Sequence, residues 1–148
     1  MADLSHRCFV IRKEVIDRTL KNEPTPGKKL LEPLKSLAAA SKLPLNILED
    51  KEVVNDAEVH KHEGDLWLCL EGEVNFIYGG ELVNPWAKKN PDGTLDEREW
   101  KAKEIKNGTE VVLYAGDWLW IPEGVPHQHK CSLVARLAII KIPSSSGL

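Results

Sequence analysis

The sequence predicts a mainly β protein, a single antiparallel barrel of jelly-roll size with helices at its N-terminal end. From residue 45 onward, short runs rich in β-prone residues alternate with Gly, Asn, Asp and Pro, as is typical of antiparallel sheets. Before residue 45, apolar residues recur with the 3.6-residue period of a helix. A chain of 148 residues is long enough to build one domain with its own core.

Residues 1–44 are expected to form a helical extension that packs on the barrel. Apolar residues between Ile11 and Leu20 are spaced for one face of a short helix, which Pro24 would end. A second helix is predicted to start at Pro26, because proline is favoured in the first turn, and to include the apolar residues that follow. We expect the two helices to cover an open side of the barrel or to contact a second subunit.

The barrel itself is predicted over residues 45–142. Eight strands are expected there, the number found in a jelly roll. Their predicted ranges are 45–49, 53–62, 65–71, 73–78, 110–114, 118–121, 127–130 and 133–142. Residues 143–148 contain three consecutive serines, and we expect this tail to be disordered.

A long polar segment, residues 84–108, interrupts the predicted strands. It is rich in both charges and longer than most connections in compact domains, so its simplest interpretation is a solvated excursion inserted into the barrel. Trp86 and Trp100 favour a second interpretation, a lid over a site, because a purely solvated loop does not need large apolar rings.

Composition limits the classes of function. A formal net charge of −3 argues against a dedicated nucleic-acid binder, whose affinity would depend on neutralising phosphates. There is no run of eighteen apolar residues to cross a membrane, and the N-terminus lacks the apolar stretch of a signal peptide. Three cysteines are an odd set that does not indicate a disulfide framework, so the cytoplasm is the expected location.

Two histidines two residues apart are the first chemical signal in the sequence. His60 and His62 would leave the same face of an extended strand, because side chains alternate with period two, and one metal ion could contact both. A bare pair is weak evidence, since surface strands also carry two polar residues on one face. A second segment strengthens it by supplying His127 after the rigid turn Pro122-Glu123-Gly124.

These two segments resemble the two sequence motifs of the cupin superfamily, in particular its small single-domain, RmlC-like jelly-roll barrels. The second cupin motif, G-x5-P-x-G-x2-H-x3-N, is matched by Gly116, Pro122, Gly124 and His127, with Cys131 in place of Asn. The first motif, G-x5-H-x-H-x(3,4)-E-x6-G, is matched by His60, His62 and Gly72, with Val54 in place of the first Gly and Asp65 in place of Glu. The gap after His62 is one residue short.

The resemblance implies a divalent metal ion inside the barrel, held by His60, His62 and His127, with Asp65 as the candidate fourth ligand. Such donors bind iron, zinc, nickel and manganese and leave positions open for water or substrate. If Asp65 does not reach the ion, it is expected to orient a ligand or to act as a general base. His129 shares a strand face with His127, so it is either an acid/base residue of the pocket or a histidine satisfied at the rim.

For four other residues the sequence allows two different positions or roles. Glu58 shares a strand face with His60, at the rim or within the cavity. Cys69 and Cys131 are small buried residues or thiolate ligands in a mixed His/Cys site. Arg136, the single charge in an apolar run, either faces solvent or pairs with an acidic group of a substrate.

The predicted function is that of a metal-binding cupin that acts on, or binds, a small organic molecule beside the metal. As an enzyme it would be an iron-dependent dioxygenase or a metal-assisted isomerase, with Asp65 and His129 as the candidate catalytic residues. The alternative is a non-catalytic protein that binds or senses a small ligand, because one fold hosts many functions. A metal-free epimerase would need a His/Tyr or His/Asp pair in the cavity. We expect a homodimer.

Overall fold

A computed structural model describes residues 7–144, and this part of the chain forms two short helices and twelve strands. The helices are α1 (Lys13–Thr19) and α2 (Leu34–Ser41). The strands are β1 (Gly27–Leu30), β2 (Leu45–Val54), β3 (Ala57–His60), β4 (Glu63–Glu71), β5 (Glu73–Tyr78), β6 (Glu81–Leu82), β7 (Trp86–Lys89), β8 (Leu95–Ala102), β9 (Ile105–Lys106), β10 (Thr109–Tyr114), β11 (Trp118–Ile121) and β12 (His127–Pro143). Of the predicted disordered tail, residues 145–148 lie outside the described residues.

A curled antiparallel sheet makes up most of the fold, which confirms the predicted mainly β class with N-terminal helices. β12 closes this sheet, because its 17 residues pair in turn with β2, β3, β4 and β5. Its pairing register shifts between Cys131 and Val134 and again between Arg136 and Leu137. Two strands are predicted here from the sequence, whereas such bulges let one bent strand serve both parts of the barrel.

Alternation along the strands gives the barrel an apolar end and a polar end. Cys69 of β4 is opposite Leu137 of β12, and both belong to the main apolar core. Four residues away on β4, and therefore on the same face, Asp65 is opposite Lys141 of β12. The core thus fills one end of the barrel and leaves charged groups at the other.

The start of the second helix differs from the sequence prediction. Residues Gly27–Leu30 form β1, which pairs with β2, and α2 begins only at Leu34, with Pro33 as its N-cap residue. Pairing with β2 satisfies the backbone of this segment, and such tertiary pairing overrides a weak local helix preference. The helices pack on the outer face of β2, where Leu34 contributes to a second apolar cluster around Ile47. Within the described residues, neither helix is long and apolar enough to span a membrane.

Arg136 fixes the end of α1 to the barrel. Its side chain is 3% exposed and donates a hydrogen bond of 2.9 Å to Glu49 Oε1 of β2. It also donates to the backbone carbonyl oxygens of Leu20 and Asn22, just after α1. Arg136 therefore neither faces solvent nor pairs with a substrate, the two alternatives that the sequence left open.

The polar segment between residues 84 and 108 contains paired strands. β7 and β8 form a hairpin, and β8 pairs with β3 so that Glu99 is opposite His60. Lys88 of β7 forms an ion pair with Glu99 at 3.0 Å. Trp100 is held by a hydrogen bond from its Nε1 to the carbonyl oxygen of Glu97. This segment is thus part of the sheet and brings charged side chains to the polar end of the barrel.

Candidate metal centre

Four ionisable side chains from three strands meet at the polar end of the barrel. Glu58 and His60 are two residues apart on β3, so alternation directs both to the same face, while Asp65 comes from β4 and His127 from β12. His60 Nε2 lies 3.5 Å from both Glu58 Oε1 and Asp65 Oδ2. His127 Nε2 lies 3.5 Å from the same Glu58 oxygen and 3.3 Å from the same Asp65 oxygen. We call Glu58, His60, Asp65 and His127 the four-residue cluster.

Donor atoms at the polar end of the barrel form two overlapping groups that could each hold a divalent metal ion. The donor atoms of Glu58, His60 and His127 lie within 4.8 Å of one another, and so do those of His60, Glu63 and Asp65. Nitrogen and oxygen ligands about 2.0–2.2 Å from a tetrahedral ion lie about 3.3–3.6 Å apart, and the four histidine–carboxylate separations of the cluster fall in this range. Two of its buried atoms, Asp65 Oδ2 and His127 Nε2, have no hydrogen-bond partner among the described residues. Buried polar atoms are normally paired, and a bound cation would satisfy both.

Each imidazole of the cluster has an acceptor beside its other ring nitrogen. His127 Nδ1 is 3.1 Å from the carbonyl oxygen of Val125, and His60 Nδ1 is 3.4 Å from a carboxylate oxygen of Glu99. A proton on Nδ1 suits both contacts and leaves the Nε2 lone pair of each ring for the centre of the cluster. Metal-binding histidines are commonly oriented in this way.

The buried carboxylates and imidazoles shift one another's pKa values. Burial raises the pKa of Glu58, but His127 and His60 outweigh burial and hold this pKa well below its usual value. Burial also raises the pKa of Asp65, and His127 and Lys141 outweigh it, so that the net shift is downward. For His127, burial lowers the pKa, but Asp65 and Glu58 outweigh it and raise the pKa to about 9. In the metal-free protein, His127 is therefore protonated at neutral pH.

Two lysines balance further negative charge of the cluster. Lys141 Nζ is 2.8 Å from Asp65 Oδ1 and 3.4 Å from His60 Nε2. Lys101 Nζ, on β8, is 3.4 Å from Glu58 Oε2. In both carboxylates the lysine contacts one oxygen while the other oxygen faces the histidines, so each carboxylate bridges a lysine and the centre of the cluster.

His62, expected from the sequence to be a ligand beside His60, lies outside the cluster. β3 ends at His60 and His62 lies on the exposed turn before β4, so the period-two rule does not extend to it. The inward pair on β3 is instead Glu58 and His60. In this register the first cupin motif keeps its spacing, because four residues separate His60 from Asp65 and six separate Asp65 from Gly72.

The backbone conformation agrees with this register. The motif opens with a glycine six positions before its first ligand, and that position is Glu52 when Glu58 is the ligand. Glu52 has a φ of 48°, in the left-handed region that favours glycine. Gly72, which closes the motif, has a φ of 73°, and a Cβ there would lie 2.1 Å from the carbonyl oxygen of Val134. Glu58 thus takes the place of the motif's first histidine.

His129, the second candidate catalytic residue, lies inside the barrel and is 2% exposed. Its Nδ1 contacts Asp50 Oδ2 of β2 and lies 2.9 Å from Asn55 Nδ2. Its ring centroid is 5.2 Å from that of Trp67 and 5.3 Å from that of Phe76. The interior therefore contains a buried His/Asp pair, and a carboxylate that orients an imidazole is a common support for acid/base chemistry.

The two buried cysteines do not belong to the cluster. Cys69 Sγ is 3.5 Å from the carbonyl oxygen of Gly72, and Cys131 Sγ is 3.4 Å from that of Glu73. Burial raises the pKa of both thiols, so they remain protonated. The mixed His/Cys site that the sequence left open is not formed.

Three residues of the site have a weak sequence signal or none. The sequence places Glu58 only at the rim or within the cavity, although its two-residue spacing from His60 indicates that both share a strand face. Lys141 and Glu99 gave no local signal, because their positions depend on the register of β12 with β4 and of β8 with β3.

Comparison with solved structures agrees with the topology. A Bacillus halodurans protein, BH2720, is 18% identical, with a TM-score of 0.53 over 98% of this chain and 88% of its own. A Drosophila melanogaster CENP-C cupin domain is 16% identical, with a TM-score of 0.46 over 80% of this chain and 70% of its own. This chain has a cupin fold. At these identities the likeness to solved structures shows the fold alone.

A third similar structure is hydroquinone 1,2-dioxygenase from Sphingomonas sp. TTNP3 with 4-hydroxybenzoate bound. It is 15% identical, with a TM-score of 0.46 over 69% of this chain. The chain spans less than two thirds of the length of several such proteins, including 61% of this dioxygenase and 64% of the CENP-C chain bound to CAL1. No protein-family model matches the chain, and no curated protein matches it.

The raised pKa of His127 predicts that the metal-free protein loses stability as the pH rises. The protonated ring stabilises the folded state fully below its unfolded pKa of 6.5, and this contribution disappears as the pH passes about 9. We expect the free energy of unfolding, measured with urea in the presence of a chelator, to fall by about 3 kcal/mol over this interval. His127→Gln should remove most of this pH dependence, and His62→Gln, on the exposed turn, should keep it. An unchanged pH dependence in His127→Gln would show that another group is responsible.

Proposed function

We propose that this cupin binds a divalent metal ion through Glu58, His60, Asp65 and His127 and uses it to bind or transform a small organic molecule. The observation that carries the proposal is the convergence of two imidazole nitrogens and two carboxylate oxygens at separations of 3.3–3.5 Å. Two histidines and one carboxylate are the ligand set of non-haem Fe(II) oxygenases, whereas zinc accepts the same donors. Iron, zinc, nickel and manganese all remain within this proposal.

Two cavities that share His60 in their walls support a ligand-binding role. The one we call the inner cavity has a volume of about 230 Å³, opens to solvent beside the exposed Lys28, and has Glu58, His60, Trp67 and His129 in its wall. The outer cavity, of about 290 Å³, is lined by His60, His62 and side chains of the β7–β8 hairpin. His62 therefore lines a cavity beside the cluster rather than the proposed metal position.

The chain supplies acid/base groups beside the proposed metal. A divalent ion at the cluster would supply Lewis acidity and open coordination positions for a ligand. His129 lines the inner cavity, and Asp50 contacts its Nδ1, so Nε2 is the ring atom available to take or give a proton at the ligand. Asp65 is held by Lys141 on Oδ1, which favours a role for its Oδ2 at the metal over a role as a free base.

The metal site is tested by removing its proposed ligands one at a time. We expect His60→Ala, His127→Ala and Glu58→Gln each to weaken Zn²⁺ binding by at least about a hundredfold, because even the loss of a residue that only orients a ligand costs 10–100-fold. Isothermal titration calorimetry and elemental analysis measure the affinity and the stoichiometry. His62→Ala is the matched control and should bind Zn²⁺ like the unmodified protein. Loss of binding in His62→Ala, with retention in Glu58→Gln, would show that the ligand set is the one expected from the sequence motif.

A non-catalytic cupin that binds or senses a small ligand is the second candidate, and the position of Lys141 favours it. The ammonium group lies 2.8 Å from Asp65 Oδ1 and 3.4 Å from His60 Nε2, beside the proposed metal position. Lys141 and Lys101 already match the charge of the two cluster carboxylates, Asp65 and Glu58, without a metal ion. A binding protein needs no more than this balance.

Elemental analysis and oxygen uptake separate the two candidates. If the protein is an oxygenase, it should retain iron when purified without added metal and should consume oxygen with at least one member of a panel of small phenols and carboxylic acids. His60→Ala should lose both the iron and the oxygen uptake. Zinc or nickel as the retained metal, without oxygen uptake, would exclude the oxygenase and leave isomerisation or ligand binding.

We propose a homodimer that buries an apolar strip on the outer face of β4 and β11. Trp118 and Trp120 are 58% and 48% exposed and lie opposite Leu68 and Leu66 of β4. Gly64 leaves room for the Trp120 ring, because a Cβ there would lie 2.3 Å from it. A contiguous exposed apolar strip of this kind is typical of an interaction surface. The free thiols and the net charge of −3 support a reducing cytoplasm and a small-molecule partner rather than a nucleic acid.

The dimer is tested by placing charges on this strip. We expect the unmodified protein to have twice its chain mass in light scattering after size exclusion, and the double variant Trp118→Glu/Trp120→Glu to be monomeric, since burying two carboxylates in an apolar interface is unfavourable. Leu133→Glu, at a residue 73% exposed outside the strip, should remain dimeric. A monomeric unmodified protein would contradict the proposal.

A further inference from the structure

The ammonium group of Lys141 lies among donors that could themselves hold a metal ion. Its Nζ is 2.8 Å from Asp65 Oδ1, 3.7 Å from Glu63 Oε1 and 3.4 Å from His60 Nε2. His60, Glu63 and Asp65 are one of the two overlapping groups of donors, and we call them the second donor group. Lys141 therefore contacts every member of this group.

Strand pairing and charge hold Lys141 in this position. Lys141 of β12 is directly opposite Asp65 of β4. Side chains opposite each other on antiparallel strands are near neighbours, with Cβ atoms about 4.5–5.5 Å apart. Asp65 is 1% exposed, and a buried ionised carboxylate requires a cation beside it. Lys141 supplies that cation from within the chain.

The contacts of lysines are different in the first donor group, which consists of Glu58, His60 and His127. Lys101 contacts Oε2 of Glu58, whereas Oε1 of the same carboxylate faces the two histidines. The buried atoms His127 Nε2 and Asp65 Oδ2 face each other at 3.3 Å, and neither has a hydrogen-bond partner among residues 7–144. The two oxygens of Asp65 therefore serve two places: Oδ1 binds the ammonium, and Oδ2 faces the proposed metal position.

We propose that Lys141 is an internal cation of the second donor group and thereby directs the divalent ion to the four-residue cluster. An ion held by His60, Glu63 and Asp65 would have to displace the ammonium, because two positive charges would compete for the same donors. Binding at the four-residue cluster gives up only the contact between Lys141 and His60 and keeps its pairing with Asp65 Oδ1. This inference deepens the proposed function, since it names the residue that selects between the two groups.

Zn²⁺ binding in variants that lack one ligand of the first donor group tests this role. Glu58→Gln and His127→Ala, measured by calorimetry, should each bind Zn²⁺ weakly. Adding Lys141→Met to either variant should tighten binding about tenfold or more, because the second donor group then accepts the ion. Adding Glu63→Gln as a third change should remove this gain. Glu58→Gln is nearly isosteric, which keeps the test independent of the folding of His127→Ala.

Glu63→Gln on its own tests the same role with Lys141 in place. Because the ammonium occupies the second donor group, Glu63 contributes only a partly exposed charge, and we expect this variant to bind Zn²⁺ within about fivefold of the unmodified protein. The Glu63 side chain is 40% exposed, so the substitution leaves the core intact. A loss of about a hundredfold would show that Glu63 is a ligand beside Lys141 and would overturn the inference.

Lys101→Met is the matched control for the removal of charge. It removes an ammonium that contacts Glu58 but leaves Lys141 in the second donor group. In the His127→Ala background, any gain in Zn²⁺ affinity from Lys101→Met should persist when Glu63→Gln is added. A gain from Lys101→Met that also required Glu63 would show that net charge, rather than the position of Lys141, selects the group.

The outcomes separate this inference from the proposed function. If Lys141→Met gives no gain, or a gain that persists with Glu63→Gln, the inference is wrong while metal binding at the four-residue cluster stands. If the unmodified protein binds no Zn²⁺, the proposed function fails. The inference then holds if Lys141→Met confers Zn²⁺ binding that requires Glu63, and it fails if that variant binds none.

Discussion

Two carboxylates, Glu58 and Asp65, face the same point inside the barrel, and this constraint governs the rest of the site. Burial of one carboxylate is unfavourable, and a second beside it adds repulsion. Cations on every side offset this: the His127 ring contacts both carboxylates, Lys101 contacts Glu58 and Lys141 contacts Asp65. A divalent ion would provide the same compensation at the centre, so the metal and the proton on His127 are alternatives for one place.

Polarity decreases along the interior from this cluster to the core. His129 contacts Asp50 and also the rings of Trp67 and Phe76, which belong to the main apolar core. In such partly apolar surroundings an ion pair or a proton transfer is little screened by water, so the His129–Asp50 pair acts more strongly than it would at the surface.

The fold class and most of the strands could be predicted from the sequence, because period-two patterning and Gly/Pro punctuation are local signals. The second motif also identified His127 correctly as a residue that faces the interior. The position of His62 could not be obtained in this way, since it depends on β3 ending at His60. A shift of two residues preserves strand alternation, so both Glu58-Val59-His60 and His60-Lys61-His62 satisfied the same rule. Only the point where the strand ends distinguishes them.

The β1 strand and the charged hairpin show a second limit of the sequence. Gly27–Leu30 and residues 95–102 form strands because they pair with the edges of β2 and β3, respectively. The local sequence of neither segment indicates this pairing. The residues they bring to the site, Lys28 and Glu99, therefore lack any sequence signal of a functional role. Long-range register, rather than residue type, decides which of the many charged side chains of this protein face the cavity.

The N-terminal extension is part of the site as well as a cover. β2 carries Leu48 and Asp50 on its inner face and Ile47 and Glu49 on its outer face, so one strand contacts both the cavity and the helices. Glu49 is bound by Arg136 of β12 and by the backbone N–H of Thr25, just before β1. Because β1 pairs with β2 along its whole length, the contacts that hold the extension also fix the strand from which Asp50 reaches His129. The buried Glu49–Arg136 pair on the outside of the barrel is therefore mechanically connected, through a single strand, to the orientation of the imidazole inside it.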